Sequence, residues 1–489
     1  MELLYLVTPL LLILVVLAAV WLDRWSVPVI VVALGVGILF GSDVLQLVNF
    51  DDARLTNHVA NLALVFILFH GGFDTRREDF RAVALPAGGL ATWGVILTAL
   101  FSFILFWKGF KWDFNLALLL SVIISSTDAA AIFSIMRRHS LPRSISSLVE
   151  VESAANDPMA VVLTTVAIQA IKVGEQLSWS ILVVFLWKFL AGPVVGWLLA
   201  RAAVWLFNHL SPHERGYYYV LFLGVVMLTY GVAESLHCSG MLAVFIAGYV
   251  MGNHPFVHKQ GVAAFSSALS TIANIGMFVL MGLLVFPSQW RDLWVKGLML
   301  FLGLTFFSRP LAVFIGTIGM RLGLRKKLFV AWAGLRGSVP IVLATYPAAA
   351  GLPADLSQDI FNLVFFAVLL SVLVQGSTLS VVARWLGFTA PPRPAPLYNL
   401  ELITMAHSDM DLVVVDLPGP EGTLGPFVHE LKLPPNAVIT LITRGKEVIS
   451  PRGLTRLKGW DQVTVLAPVG EEPAIRHALI DPFHKQEEA

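Results

Sequence analysis

Long apolar stretches separated by short polar loops fill the chain as far as Leu386. A helix needs about 20 mostly apolar residues to cross the hydrocarbon of a bilayer. Stretches of this kind are centred near residues 12, 36, 66, 95, 125, 161, 194, 227, 246, 278, 306, 338 and 373. The pattern predicts an all-α polytopic membrane domain over residues 1–388, with about thirteen spans.

Charged residues in the loops predict the orientation of these spans. The loops after the third, fifth and eleventh spans fall on one side and are basic: Arg76, Arg77, Arg81, Arg137, Arg138, Arg143, Arg321, Arg325, Lys326 and Lys327. The opposite loops carry acidic residues: Asp43, Asp51, Asp52, Asp355 and Asp359. Because basic loops remain cytoplasmic, we expect a multi-pass protein of the inner membrane, with its N-terminus outside and its C-terminus inside.

A soluble segment follows the apolar spans. Residues 389–398 are rich in proline and predict a semi-rigid linker. Alternation and turn residues then predict four strands and one short helix: Asp411–Val415, Val438–Ile442, Glu447–Ile449 and Gln462–Leu466 for the strands, and Leu424–Leu431 for the helix. We expect a small cytoplasmic α+β domain at residues 399–470 and a separate C-terminal tail at residues 471–489.

The composition is that of a chain solvated by lipid. Hydrophobic residues make up 57% of the 489 residues and charged residues only 13%, whereas soluble globular proteins carry roughly 25% charged residues. A net charge of +1 provides no basic field for nucleic acid. The single cysteine, Cys238, excludes an intrachain disulfide and a multi-cysteine metal site. A soluble enzyme is therefore excluded.

The sixth span carries polar residues that are costly at this depth and by default indicate function. Glu152 and Asn156 lie one helical turn apart, as do Ser153 and Asp157, so the four side chains share one broad face. Pro158 lacks an amide hydrogen and frees a carbonyl one turn earlier. Such oxygen ligands suit a monovalent cation, and a proton can replace it on the Asp157 carboxylate. The alternative is a polar patch that only holds helices together.

Two other spans carry sequences that favour a break in the helix. The fifth contains Ser125-Ser126-Thr127-Asp128, whose side chains compete with the helical backbone for hydrogen bonds. A break there would place Asp128 at the positive N-terminus of the second half-helix. The twelfth contains Gly334-Leu335-Arg336-Gly337 before a proline. Arg336 cannot deprotonate, and we expect Glu152 to be its partner in a structural ion pair.

The positions of these two breaks match between the halves of the membrane domain. The fifth span is fifth in the set one to six, and the twelfth is fifth in the set eight to thirteen. With the seventh span as linker, the two sets insert in opposite orientations. Interrupted helices at matching positions of two inverted repeats indicate the midplane binding site of a secondary transporter.

These motifs resemble those of the NhaP-type branch of the monovalent cation:proton antiporters, cation:proton antiporter family 1. The resemblance covers about residues 1–388, and its motifs are Thr127-Asp128, the run from Glu152 to Pro158, Gly334-Leu335-Arg336-Gly337, Gly71-Gly72 and Ser239-Gly240. It implies a homodimer in membrane lipid that works by an elevator-like movement of the domain holding both broken helices.

The resemblance also implies roles for the site residues. Asp157 is the exchange carboxylate that binds the proton or the monovalent cation, and Thr127 and Ser153 are cation ligands. Asp128 supports the crossing of the broken helices, and Asn156 stands where a second acid occurs elsewhere, as in the electroneutral branch. Both add to the candidate cation-binding oxygens.

Residues 399–470 are similar to the RCK-C (TrkA-C) module, a regulatory domain of potassium channels and transporters. The stretches Arg444–Gly453 and Leu457–Val463 carry this resemblance, which favours potassium as the exported ion. The tail lacks the G-x-G-x-x-G of a dinucleotide-binding unit, and we expect no cofactor. The resemblance implies that such modules pair as dimers whose groove can hold a small effector such as a cyclic dinucleotide.

The leading hypothesis is therefore an antiporter that exchanges cytoplasmic K⁺ for external H⁺. A Na⁺(Li⁺)/H⁺ antiporter is the alternative within the same class, and an RCK-gated cation channel is the alternative from another class. The chain has no Thr-Val-Gly-Tyr-Gly filter. It also has no P-loop of a primary pump.

Three further residues are weaker candidates. His70 in the third span could sense pH, although a bond to neighbouring backbone is the favoured interpretation. Arg309, before Pro310 in the eleventh span, is expected to cap freed carbonyls or to bind a lipid headgroup. Glu234, at the end of the eighth span, either lines an entrance or is solvated at the interface.

Overall fold

The structure is a computed structural model. It describes residues 2–22, 29–48, 53–77, 85–128, 132, 141–173, 179–210, 214–320, 322–388, 410–418, 422–445, 447–468 and 471–487. The predicted linker at residues 389–398 lies outside the described residues, and so do several loop charges: Asp51, Asp52, Arg81, Arg137, Arg138 and Arg321. Two compact units make up the chain, residues 1–203, 220–254 and 265–390 in the first and residues 204–219, 255–264 and 391–489 in the second.

Fourteen apolar helices or half-helices are described before residue 389. Helices α1 to α14 are, in order, Glu2–Leu22, Val29–Phe40, Ala53–Asp74, Leu85–Gly109, Phe114–Ile123, Arg143–Val173, Trp179–His209, Gly216–Ser235, Gly240–Gly252, Lys259–Leu283, Leu293–Gly316, Leu324–Trp332, Ser338–Ala349 and Ala354–Trp385. Within the described residues, eight of these are long and apolar enough to cross a membrane: α3, α4, α6, α7, α8, α10, α11 and α14. A multi-pass helical membrane domain is thereby confirmed, whereas the count of thirteen spans stays a prediction.

Both predicted helix breaks are present. Helix α5 ends at Ile123, and residues 124–128 leave the helix. Of the segment 129–140 that follows, only Ile132 is described. In the twelfth span, α12 ends at Trp332 and α13 begins at Ser338. The two breaks meet, because the Asp128 amide donates a hydrogen bond of 2.8 Å to the carbonyl of Leu335.

Helices α3 and α9 pack backbone against backbone. A Cβ added at Gly72 would collide with the carbonyl of Phe245, and one added at Gly248 would collide with the carbonyl of Phe69. Small residues allow this close approach between membrane helices, where the hydrophobic effect supplies little attraction. The two helices therefore form one closely packed pair.

Three of the long helices contain π-helical turns. They are Leu90–Gly94 and Leu105–Gly109 in α4, Leu304–Ser308 in α11, and Ser371–Gly376 in α14. A π turn leaves backbone groups without their usual helical partners and re-aims the side chains around it, and such turns are frequent at functional sites. The turns in α11 and α14 lie beside residues of the candidate site.

The C-terminal module has six strands and one helix. Strands β1 to β6 are Met410–Asp416, Leu424–Phe427, Val438–Arg444, Glu447–Ile449, Arg456–Lys458 and Gln462–Pro468. One antiparallel sheet has the order β1-β6-β3-β4, and β2 pairs with β5. Helix α15, Glu472–Glu487, packs Ile475, Leu479 and Phe483 into the same core. The segment beyond the boundary predicted at residue 470 therefore contributes to the hydrophobic core of this module.

The helix predicted over Leu424–Leu431 is wrong. Its first half is β2, and only a single 3₁₀ turn, Val428–Glu430, follows. Gly425 is a poor helix former, and here its missing Cβ leaves room for the ring of Phe483. Packing against α15 therefore favours the extended conformation.

An ion pair fixes the turn between the last two strands of the module. Arg444 donates two hydrogen bonds of 2.7 Å each to the buried carboxylate of Asp461. The same carboxylate accepts a bond of 2.8 Å from the amide of Lys458. The hydrogen bonds to Asp461 raise the pKa of Arg444 above its ordinary value.

Candidate functional site

The break in the fifth span is bound to helix α6 through Thr127. The Ser153 hydroxyl donates a bond of 2.6 Å to the Thr127 carbonyl. The amide oxygen of Asn156 accepts from the Thr127 N–H at 3.2 Å, and its amide nitrogen donates to the Thr127 hydroxyl at 2.6 Å. Three of the predicted site residues therefore meet, and Asn156 is the group that aligns the unwound backbone with α6.

Asp157 follows directly on α6. Its Oδ1 is shielded from solvent and has no hydrogen-bond partner among the described residues. The Ser126 hydroxyl lies beside this carboxyl group, and the charges of Asp128 and Arg336 act on it. The carboxylate thus faces both breaks, although the sequence did not single out Ser126 as a neighbour. A buried carboxylate oxygen without a hydrogen-bond partner is costly, so this position favours a bound proton or cation.

Arg336 satisfies the carbonyls that the break in the fifth span sets free. Its Nη1 donates to the carbonyl of Ser125 at 2.8 Å and also to the carbonyl of Ser126. Its own backbone N–H donates to the hydroxyl of Ser371 at 3.1 Å. The side chain is 1% exposed. The guanidinium therefore replaces the amide donors that an unbroken helix would supply.

The structure gives Glu152 a different direct partner from the predicted Arg336. Glu152 pairs with Arg309 at 2.5 Å, and each of these two residues is 2% exposed. The Nη1 atom of Arg336 donates instead to the two serine carbonyls. Arg309 follows the π turn in α11 and lies against Gly334, where a Cβ would stand 2.8 Å from its Nε. The expectation that Arg309 caps carbonyls or binds lipid is thereby corrected.

Asp128 crosses to the opposite break. Its Oδ2 accepts a long bond of 3.4 Å from the N–H of Ser338, the first residue of α13. A Cβ at Gly337 would collide with this carboxylate. The carboxylate therefore lies at the positive N-terminus of a half-helix. That half-helix belongs to the twelfth span. The second half of the fifth span, which the sequence had suggested for this contact, lies outside the described residues except for Ile132.

Helix α14 supports the second break through two residues that the sequence analysis missed. Ser371 accepts from the Arg336 amide and donates to the side-chain oxygen of Gln375 at 2.6 Å. Gln375 in turn donates to the carbonyl of Trp332 at 3.1 Å. The signal available in the sequence was a glutamine inside an otherwise apolar span, because a buried amide needs partners.

His70 lies away from these contacts. Its Nε2 is 3.3 Å from the carboxylate of Asp74, one turn further along α3. The bond to neighbouring backbone that the sequence favoured is replaced by this side-chain pair.

A polar cavity of about 400 Å³ lies along helix α6. Its wall includes Val161, Thr165 and Gln169, which lie on the same helical face as Asp157 at successive intervals of four residues. Glu234 also lines this cavity, which agrees with the first of its two predicted environments. The cavity therefore reaches to within one helical turn of the Asp157 position.

Comparisons with known proteins agree on one family. The family model for the transmembrane part of the sodium/hydrogen exchangers matches residues 10–385. The K(+)/H(+) antiporter NhaP2 of Shewanella oneidensis is 35% identical over 464 residues, which cover 93% of this chain and 78% of that protein. The K(+)/H(+) antiporter NhaP of Alkalimonas amylolytica is 33% identical over 464 residues, with 94% and 80% covered.

A solved structure extends this likeness to the fold. The sodium proton antiporter MjNhaP1 from Methanocaldococcus jannaschii, determined at pH 8, is similar with a TM-score of 0.69 at 26% identity. The likeness covers 78% of this chain and 97% of that one.

Proposed function

Because this chain belongs to the sodium/hydrogen exchanger family, whose members are cation:proton antiporters and not enzymes, we propose that it exchanges cytoplasmic K⁺ for external H⁺ at Asp157. One observation supports the assignment of exchange to Asp157. The Oδ1 atom of Asp157 is buried beside two helix breaks and has no hydrogen-bond partner within the described part of the chain. Such a carboxylate needs a proton or a cation to offset its desolvation.

Competition for this carboxylate provides the exchange. When a proton binds Asp157, the carboxylate becomes neutral. It no longer attracts the cation, which then leaves. When a cation binds, the proton is displaced. Asn156 carries no titratable group and is already bonded to Thr127, which supports a single proton per cation and an electroneutral cycle.

The ligands that we propose for the cation are oxygen atoms around the break in the fifth span. They are the Asp157 carboxylate, the Thr127 carbonyl or hydroxyl and the Ser153 hydroxyl, with Asn156 and Asp128 close by. The Ser153 hydroxyl and the Thr127 carbonyl lie 2.6 Å apart, so a single cation can contact both. Carboxylate, carbonyl and hydroxyl oxygens suit a hard cation.

Potassium is the favoured ion because two relatives that cover most of this chain carry K(+)/H(+) antiporter in their names. The Na(+)/H(+) antiporter 1 of Methanocaldococcus jannaschii, at 29% identity over 74% of this chain, supports the sodium alternative. The alternative of another class, an RCK-gated channel, lacks support from any of these names.

The same proposal includes the architecture. We place about thirteen spans in two inverted repeats, with the N-terminus outside and the C-terminus in the cytoplasm of the inner membrane. A homodimer would allow the helices that carry the breaks to move as an elevator against a fixed partner surface. The crossing of the two breaks at Asp128 and Leu335 supports this arrangement, because irregular backbone at membrane depth must be buried or line a cavity.

The decisive experiment measures proton flux in proteoliposomes with an imposed pH gradient, to which K⁺, Na⁺ or Li⁺ is added in turn. We expect Asp157→Asn to abolish cation-driven flux, because its amide cannot exchange a proton. Asp355→Asn, which changes an exposed acid at the start of α14, is the matched control and should retain wild-type flux. Full activity of folded Asp157→Asn protein would refute the site assignment.

Regulation by the C-terminal domain is a separate part of the proposal. Residues 410–487 have their own hydrophobic core, which supports an autonomous regulatory module at about residues 399–470 and beyond. Deletion of residues 397–489 should leave exchange intact and change its dependence on pH or on a cyclic dinucleotide effector. Complete loss of exchange in a well-folded truncation would make the domain part of the transport machinery.

A further inference from the structure

A continuous chain of hydrogen bonds joins helix α3 to the end of helix α13. The Tyr346 hydroxyl donates to the side-chain oxygen of Asn61 at 2.5 Å. Asn61 donates to the side-chain oxygen of Asn57 at 2.9 Å, and Asn57 donates to the Thr345 hydroxyl at 2.9 Å. We call these four residues, Asn57, Asn61, Thr345 and Tyr346, the polar latch.

The polar latch borders the cavity that leads along α6 toward Asp157. Asn57, Asn61 and Tyr346 all contribute to the cavity wall, together with Val161 and Thr165 of α6. In the proposed orientation this cavity opens at the external end of the protein. The latch therefore lies where an external ion would begin its path to the exchange carboxylate.

The two sides of the latch belong to different packing groups. Helix α3 packs closely on α9 at Gly72 and Gly248, where an added Cβ would collide with the backbone of the other helix. Helix α13 begins at Ser338, whose N–H bonds Asp128 in the crossing of the two breaks. The latch thus connects the elements that carry the exchange site to a helix pair that does not contribute to that site.

The chemistry of the latch fits a contact that opens and closes. It consists of neutral amide and hydroxyl groups, each of which can exchange its partner for water in the adjoining cavity at little net cost. By contrast, the buried pair of Glu152 and Arg309 at the site would leave an uncompensated charge if it were broken. When this part of the protein moves, the latch is therefore the contact that can separate.

We propose that the polar latch holds α13 against α3 in the conformation seen here and must open in each exchange cycle, so that it sets the balance between the two access states. This inference rests on the proposed function, because it concerns the alternation that exchange requires. Asn57, Asn61, Thr345 and Tyr346 are positioning residues, and no step of proton transfer is assigned to them.

Reversible cross-linking provides the first test. The paired substitution Asn57→Cys and Thr345→Cys is made in a Cys238→Ser background, which removes the single native cysteine. We expect oxidation to link the pair and to reduce K⁺- or Na⁺-driven proton flux at least tenfold, with recovery on reduction. The two single-cysteine variants, treated in the same way, are the controls.

The outcomes of this test are distinct. Normal flux through a quantitatively cross-linked protein would overturn the latch, and so would failure of the oxidised pair to cross-link in protein that transports normally. If wild-type protein shows no cation-driven flux at all, the proposed function fails before the latch is in question.

A conservative substitution provides the second test. Thr345→Val keeps the shape of the side chain and removes its bonds to Asn57 and to the carbonyl of Val342. Loss of both bonds should change the equilibrium constant between the two access states by about tenfold. The apparent cation affinities measured at the two faces of the membrane should then move in opposite directions.

The matched control for Thr345→Val is Thr98→Val. Thr98 is a buried threonine in α4 that bonds the carbonyl of Gly94 in its own helix. We expect this control to leave both affinities unchanged. A merely structural role for Thr345 would lower the yield of active protein without moving either affinity, and that result would overturn the proposal.

Discussion

The two helix breaks differ in what holds them. The break in the fifth span is bound to the exchange helix α6, where Asn156 and Ser153 bond the backbone and side chain of Thr127. The break in the twelfth span is bound to α14. There the Ser371 hydroxyl accepts a hydrogen bond from the Arg336 amide, and the Gln375 side chain donates one to the carbonyl of Trp332.

Each break also supplies a charged side chain to the other. Arg336 of the second break donates to the carbonyls of Ser125 and Ser126 in the first. Asp128 of the first accepts from the amide of Ser338 after the second. These two reciprocal contacts bind the crossing breaks into a single unit. Since Ser153 and Asn156, which flank Asp157 on α6, hydrogen-bond the first break, we expect the first break to respond more strongly when Asp157 gains or loses its cation.

The largest effect is expected from removing the shared charge of the second break. Arg336→Ala leaves two buried carbonyls without a donor, which should lower the free energy of unfolding by about 4 kcal/mol. We expect a sharp loss of thermal stability in detergent together with loss of exchange. Arg336→Lys, which keeps a positive charge and a terminal nitrogen donor but not the planar guanidinium, should recover part of the stability. Normal stability and normal exchange in Arg336→Ala would contradict this account of the crossing.

A smaller effect is expected from crowding the contact between the breaks. Gly337→Ala would drive a Cβ into the Asp128 carboxylate, and overpacking of this kind costs about 2 kcal/mol. Proton flux should fall severalfold, because the crossing must shift to make room. Gly276→Ala is the control, since a Cβ at that helical glycine meets no atom within 4 Å. Equal behaviour of the two variants would show that Asp128 is free to move aside.

The existence of the breaks was predictable, and most of their partners were not. Runs of serine, threonine, glycine and proline inside apolar spans are unfavourable in a helix wherever they occur, so a local pattern suffices to find them. The partner of Glu152 depends instead on the directions of two buried arginines. Arg309 follows a π turn and lies against Gly334. Neither feature produces a periodic pattern in the sequence from which it could be predicted.

The C-terminal module shows the same limit. Strands β1, β3, β4 and β6 were found from alternation, because each has one face in a shared core. The segment Leu424–Phe427 contains glycine and proline and has too few apolar positions to show a period. Its strand conformation comes from pairing with β5 and from the ring of Phe483 in α15, which are contacts distant in the chain.

The smallest effects are expected from two substitutions that distinguish the roles of the two breaks. Asn156→Ala removes two hydrogen bonds to Thr127 and should cost about 2 kcal/mol, whereas Ser371→Ala removes the acceptor of the Arg336 amide and should cost about 1 kcal/mol. If only the first break responds to the occupancy of Asp157, Asn156→Ala should also change the apparent affinity for the cation, as measured by the cation dependence of proton flux. Ser371→Ala should lower stability alone. Equal changes in affinity would mean that both breaks respond to the cation. In that case the contacts made by Arg336 and Asp128 across the crossing would transmit a movement of one break to the other.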